Sequence, residues 1–177
     1  MQVNIATVEA IRAIQQHIVL GMSEHTIRKT LSKILLQAGL VPYFNIVLFG
    51  SDAANPHGGV DESRQLQECE FILIDVGAVF HGYSSDITRT FLPKRTDIQE
   101  CEGSVSGNYS LLELWSTVYD AQSAAIETMR LGSNCSDVDL AARGVVEEAG
   151  LGEFFNHRLG HGLGIEGHER YKHSRDC

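Results

Sequence analysis

The hydrophobic period changes twice along this chain, and that change limits the fold more than any single residue does. From Asn4 to Leu20 the apolar residues Ile5, Val8, Ile11, Ile14 and Ile18 recur every three or four positions, the repeat of one helical face. Gly21 closes that stretch. Ser23 is placed as the N-cap of a second helix that carries Ile27, Leu31, Ile34 and Leu35 toward a stop at Gly39. The period then shortens. Phe44 to Phe49, Phe71 to Val76, Val79 to Tyr83 and Ile87 to Leu92 are short apolar or β-branched runs bounded by turn residues, the pattern of an antiparallel, hairpin-rich sheet. The helical repeat returns from Leu111 to Arg130, stopped by Gly132, and again from Asn134 or Ser136 to Gly150. This order predicts a mixed α+β domain, with Trp115 expected in its core.

Bulk properties narrow the function classes. A chain of 177 residues suffices for one domain with its own core, and a single domain over 1–177 is expected. Hydrophobic residues at 43% and charged residues at 21% give a globular rather than a disordered balance. The net charge of −9, without any block of lysine or arginine, argues against nucleic acid or an anionic membrane as partner. No apolar run approaches the ~20 residues that span a bilayer, and the N-terminus has no signal-peptide pattern. Cys69, Cys101, Cys135 and Cys177 show no C-x-x-C spacing. They are expected as free thiols of a reducing compartment, which points to a cytoplasmic location. Residues 94–110 are polar and without period, too long for an ordinary connection, and are expected as an exposed insertion; 170–177 form an atypical tail.

Two constellations carry chemistry. His157, His161 and His168 stand four and seven residues apart in a run with four glycines. Neutral imidazole ligates transition metals and moves protons near neutral pH, while glycine lets groups crowd a small space. Asp75 closes an apolar run and Asp86 follows eleven residues later, across the expected hairpin. A carboxylate in such a run needs a cation or a basic side chain beside it, and Arg89 is the nearby basic residue. With His161 added, the set offers oxygen, oxygen and nitrogen donors, suited to a hard or borderline divalent ion.

Ile74-Asp75-Val76-Gly77-Ala78 and Gly82-Tyr83-Ser84-Ser85-Asp86-Ile87-Thr88-Arg89-Thr90-Phe91 resemble the signature of the pita-bread metallopeptidases. That family includes methionine aminopeptidase, aminopeptidase P, prolidase and the metal-free creatinases. The run from His157 to Glu169 is similar to its second signature, and the likeness covers most of 1–93 and 111–169. The resemblance implies a curved antiparallel sheet with flanking helices. It also implies a site in which two aspartates, a histidine and two glutamates hold two metal ions. Asp75, Asp86 and His161 fall on the first three ligands. In the family the paired ions activate a bridging water that attacks the scissile carbonyl. Manganese is implied by family habit, while cobalt and zinc suit the same donors. His57, in its Asn-Pro-His-Gly-Gly loop, matches a substrate-binding histidine, and His168 matches one that contacts the carbonyl. His157, four residues before the ligand position, and Leu159-Gly160 suit the proline-specific branch. The resemblance therefore implies an Xaa-Pro aminopeptidase or dipeptidase, with a peptide carrying proline second as substrate.

The family's two glutamate ligands lie beyond its second signature. Here 170–177 contain no glutamate, and Glu166 and Glu169 sit inside the histidine motif. On the resemblance, the chain is expected to be a truncated catalytic domain without its last strands, with weak metal binding and little peptidase activity. The unfinished sheet would expose an edge that a partner, including a second copy in a homodimer, could cover. A catalytically dead module that binds peptide or protein is the alternative from another class. Methionine aminopeptidase is a third, disfavoured by His157.

Overall fold

The computed structural model describes residues 1–55, 57–58, 63–94, 101 and 109–169. They fall into two compact units, one drawn from 1–100 with 163–168, the other from 101–162 with Glu169.

In the first unit, α1 (Gln2–Gln15) and α2 (Glu24–Gln37) are followed by β1 (Val41–Phe49), β2 (Ile72–Phe80) and β3 (Tyr83–Phe91). The strands form one antiparallel sheet in the order β1-β2-β3. α1 stops before the expected Leu20, at a turn in which the His17 N–H donates to the Ile14 carbonyl. Ile18 nevertheless stays buried, so the apolar period outlasts the helix. Ser23 caps α2 as expected, its hydroxyl oxygen accepting the Thr26 N–H at 3.2 Å. The three runs anticipated between 71 and 92 are two nine-residue strands. His81 and Gly82 join them, both with positive φ (49° and 79°), as a two-residue hairpin turn of the primed type requires.

The pleat sorts the sheet into two faces. Ile72, Ile74, Val76 and Ala78 are fully buried in a core with Ile11, Ile14, Ile27, Leu31, Leu35, Val47 and Phe49. Burying one such Val, Leu, Ile or Phe side chain stabilises the fold by roughly 1.5–3 kcal/mol. Two polar contacts are built into this side. Thr7 on α1 and Ser85 on β3 share a hydroxyl hydrogen bond of 2.7 Å, and the buried Glu24 carboxylate accepts the Phe49 N–H at 2.9 Å. The opposite face carries Asp75 and Asp86.

The second unit centres on α3 (Leu111–Thr128) and α4 (Cys135–Glu148). Ser110 and Glu113 form a reciprocal capping box at the start of α3. The helices pack through Ala121, Ala125, Val138, Ala142 and Val146, small and β-branched residues that allow close approach. Trp115 is not a core residue. It is 42% exposed and lies stacked on Tyr119, with ring centroids 5.4 Å apart. Spacing marks an apolar stripe, but which edge of that stripe meets a neighbour is decided by packing, and here the alanines fill that place.

The expectation of free thiols is corrected at two of the four cysteines, because Cys69 and Cys101 are disulfide-bonded, whereas Cys135 is in no disulfide. Pairing depends on how the fold places two β-carbons, which sequence spacing does not report. The expected insertion at 94–110 lies outside the described residues apart from Lys94, Cys101, Tyr109 and Ser110, and the tail 170–177 lies wholly outside them. Among the described residues no helix is long and apolar enough to cross a membrane.

Candidate metal centre

The β2–β3 ladder pairs Asp75 with Thr88 and Gly77 with Asp86. Directly paired residues share a face of a sheet, and so do residues two apart along a strand. Asp75 and Asp86 are therefore diagonal neighbours on the face opposite the apolar core. Thr88 donates its hydroxyl to Asp75 Oδ1 at 2.8 Å, fixing that carboxylate. Arg89, the basic residue anticipated beside the aspartates, pairs with Ile74 instead. One residue out of phase, it lies on the other side of the sheet.

The second signature reaches this face through a loop. The Ser84 N–H donates to the Gly164 carbonyl at 2.7 Å and the Ser84 hydroxyl to the Ile165 carbonyl at 3.1 Å. With 164–165 docked on β3, a ring nitrogen of His168 comes within 4.8 Å of an Asp86 carboxylate oxygen. Tyr43, which the sequence did not mark, stands over the same face, and its hydroxyl donates to the Ser85 carbonyl at 3.0 Å. Burial raises the phenol's pKa, and the Asp86 and Asp75 charges push it the same way.

His57 is exposed, in the loop after the 3₁₀ turn Gly50–Ala54. An ion pair between Asp52 and Arg64, 2.7 Å long, spans the base of that loop. His157 and His161 belong to the second unit. His157 Nδ1 donates to the Arg158 carbonyl at 2.8 Å. His161 Nδ1 donates to the Gly162 carbonyl at 2.9 Å, a bond that requires a proton on Nδ1. Two α4 residues unread in the sequence hold this histidine segment. Asp139 accepts the Leu159 N–H at 2.9 Å, and Arg143 donates to the carbonyls of Phe155 (2.7 Å) and His157 (3.2 Å). Arg143, Asp139 and the i,i+4 spacing are visible in the sequence, but their targets twelve to twenty residues on are not.

Comparison with known proteins bears on the same residues. The model of metallopeptidase family M24 matches residues 1–176, both signatures included. The chain belongs to metallopeptidase family M24. Among curated M24 relatives, an uncharacterized peptidase of Schizosaccharomyces pombe is 46% identical over 96% of this chain and 36% of its own length. A putative dipeptidase of Bacillus subtilis is 38% identical over 84% of this chain and 38% of its own length. Among solved structures, the X-Pro aminopeptidase of Thermotoga maritima superposes with a TM-score of 0.82 at 31% identity, over 95% of this chain and 45% of that one. The prolidase of Pyrococcus furiosus gives 0.80 at 30%, over 94% and 48%. The M24 chain described here thus has the pita-bread fold of these neighbours and spans less than half the length of each.

The donor set fits the divalent ion that M24 membership implies. Asp75 and Asp86 present carboxylates from adjacent strands on one face, and His161, the imidazole that the family resemblance assigns to the metal, has its Nδ1 held by the Gly162 carbonyl. Oxygen donors with imidazole suit manganese, cobalt or zinc, and the Thr88 bond to Asp75 is the kind of outer contact that orients a ligand.

Proposed function

We propose that this chain is the metal-dependent part of an exopeptidase that hydrolyses the N-terminal Xaa-Pro bond of peptides. The observation that carries the reading is the diagonal placement of Asp75 and Asp86 on the sheet face opposite the core, with His168 beside Asp86. The likeness to an X-Pro aminopeptidase and a prolidase supports the choice of substrate.

Asp75, Asp86 and His161 are the residues that would hold divalent metal, two ions in the intact site and manganese first among the candidates. When bound, such ions supply Lewis-acid polarisation of the carbonyl and a nucleophile from water at neutral pH. The chain's own groups do the rest. Thr88 holds Asp75 by a hydrogen bond to Oδ1. His168 would donate a hydrogen bond to the scissile carbonyl oxygen as charge develops there. By resemblance to the family, His57 would bind the peptide near the leaving side and His157 would serve catalysis. Peptide is the partner, and a second copy of the chain is a further candidate.

The reading is tested by incubating purified, monodisperse chain in excess manganese with an Xaa-Pro dipeptide and an Xaa-Pro-Xaa tripeptide, beside His161→Ala. Hydrolysis that vanishes in the variant supports it, and cleavage of the tripeptide alone marks an aminopeptidase. Folded protein that binds manganese but cleaves neither peptide overturns it and favours a peptide-binding module.

A further inference from the structure

The register of β1 on β2 slips at one point. Pro42 pairs with Ala78 and Phe44 with Gly77, which leaves Tyr43 as an extra residue in a β-bulge. Alternation counted on from Val41, paired with Val79, puts Tyr43 on the face of Gly77 and Asp75, and Phe44, paired with Gly77, lies on that face too. The bulge thus sets two consecutive side chains on one face. A Cβ placed on Gly77 would lie 2.6 Å from the Tyr43 ring and 2.3 Å from the Phe44 ring, so both rings cover the one residue directly paired with Asp86. The two rings meet edge to face with centroids 5.0 Å apart, which braces the phenol from the side.

The other edge of Tyr43 meets the histidine loop. A Cβ on Gly167 would lie 2.7 Å from the Tyr43 hydroxyl and 3.1 Å from its ring. Two glycines, one on β2 and one immediately before His168, thus leave the volume that this ring fills. Its hydroxyl also holds the carbonyl of Ser85, immediately before Asp86. Bulges recur beside active sites, where the extra residue re-directs a side chain.

We infer that Tyr43 is a positioning residue of the metal centre, a bulge-borne wedge between Gly77 and Gly167 that sets the His168 ring against Asp86. This rests on the metal-site reading above for its consequence, and on the geometry alone for the placement of His168.

Two measurements separate those layers. In the metal-free chain, the ring resonances of His168 are followed by NMR in Tyr43→Ala, in Tyr43→Phe and in Gly167→Ala. In the same proteins, cobalt(II) is titrated and its visible absorption recorded. Tyr43→Ala is expected to shift or broaden the His168 signals, to weaken cobalt binding by roughly 10–100-fold, as loss of an outer contact does, and to change the cobalt spectrum. Tyr43→Phe, which keeps the ring, is expected to recover most of the affinity and the spectrum, a rescue that general loss of stability would not produce. Should Tyr43→Ala not fold, Gly167→Ala presses on the same contact from the loop side and is expected to move the same signals. Unmoved His168 signals in the folded variants, or wild-type cobalt affinity in Tyr43→Ala, would overturn the inference. If the wild-type chain takes up no cobalt, the metal reading fails, and the His168 signals alone then decide the role of Tyr43.

Discussion

Asp139 and Arg143, one turn apart on α4, form a two-pronged ion pair, Nε to Oδ2 at 2.9 Å and Nη2 to Oδ1 at 3.2 Å. Both partners use their remaining capacity on the histidine segment. Asp139 takes the Leu159 N–H, and Arg143 lies over the Phe155 ring, 4.6 Å from its centroid. The Arg143 guanidinium holds the Asp139 carboxyl below its ordinary pKa, with the Leu159 N–H adding to the effect. A carboxyl depressed in the folded state contributes stability that is present above its unfolded pKa, about 3.9, and is lost as pH falls through the lower folded value. Urea midpoints of wild type and Asp139→Asn are therefore expected to differ at pH 6 and to converge toward pH 2. A gap that stays constant over that range would show the charge to be irrelevant.

On the proposed function, removing the negative charge of Asp86 should be felt directly in metal binding. Asp86→Asn keeps the size of the side chain and its place opposite Gly77 but loses the charge. Manganese affinity, read by titration of the free-ion EPR signal, is expected to drop at least about tenfold, or about 1.4 kcal/mol. Asp75→Asn should behave alike, since Thr88 positions that carboxylate for the same face. Unchanged affinity in both variants would remove the aspartates from the site.

Gly77 is required by its neighbours. Its added Cβ would stand inside contact distance of both Phe44 and Tyr43, so Gly77→Ala forces two rings or the strand to move. Overpacking of this kind costs about 1–3 kcal/mol. The expected result is a lower urea midpoint with an unchanged m-value. A midpoint equal to wild type would mean that the rings give way without cost.

Glu24 predicts the opposite pH sign to Asp139. Burial is the largest cause that raises its pKa, and the Phe49 N–H opposes it. The folded chain therefore holds this proton to higher pH than the unfolded chain. The stability so contributed is full below the unfolded value and declines as pH rises through the folded one. Glu24→Gln, whose amide oxygen still accepts the Phe49 N–H, should gain on wild type between pH 4 and pH 7 in denaturant midpoints. A difference that does not change with pH would contradict this.

Much of the fold was legible because its signals are local. Ser23 and Gly39 bracket α2, Gly132 and Gly150 follow α3 and α4, and the apolar runs at 44–49 and 71–92 lie in strands. The two aspartates were legible through the family signature, and the hairpin accounts for their shared face, since a two-residue turn fixes the register. Other features were not legible. The site neighbour Tyr43 sits at a bulge, an extra residue that alternation does not announce. Trp115 lies on the helical stripe yet stacks on Tyr119 instead of entering the core. Arg89 looked like a partner in sequence and is one residue out of phase.

The sequence by itself determined the elements, their caps and the chemical character of the site: two aspartates, a histidine–glycine run, and membership of M24. Such properties follow from dihedral preference and side-chain chemistry, which each residue carries with it. Only the tertiary structure decided which side chains meet: Thr88 on Asp75, His168 beside Asp86, Tyr43 wedged between Gly77 and Gly167. Those contacts depend on strand register, one bulge and one docked loop, and a one-residue slip of the strand register would turn the site face into the core face.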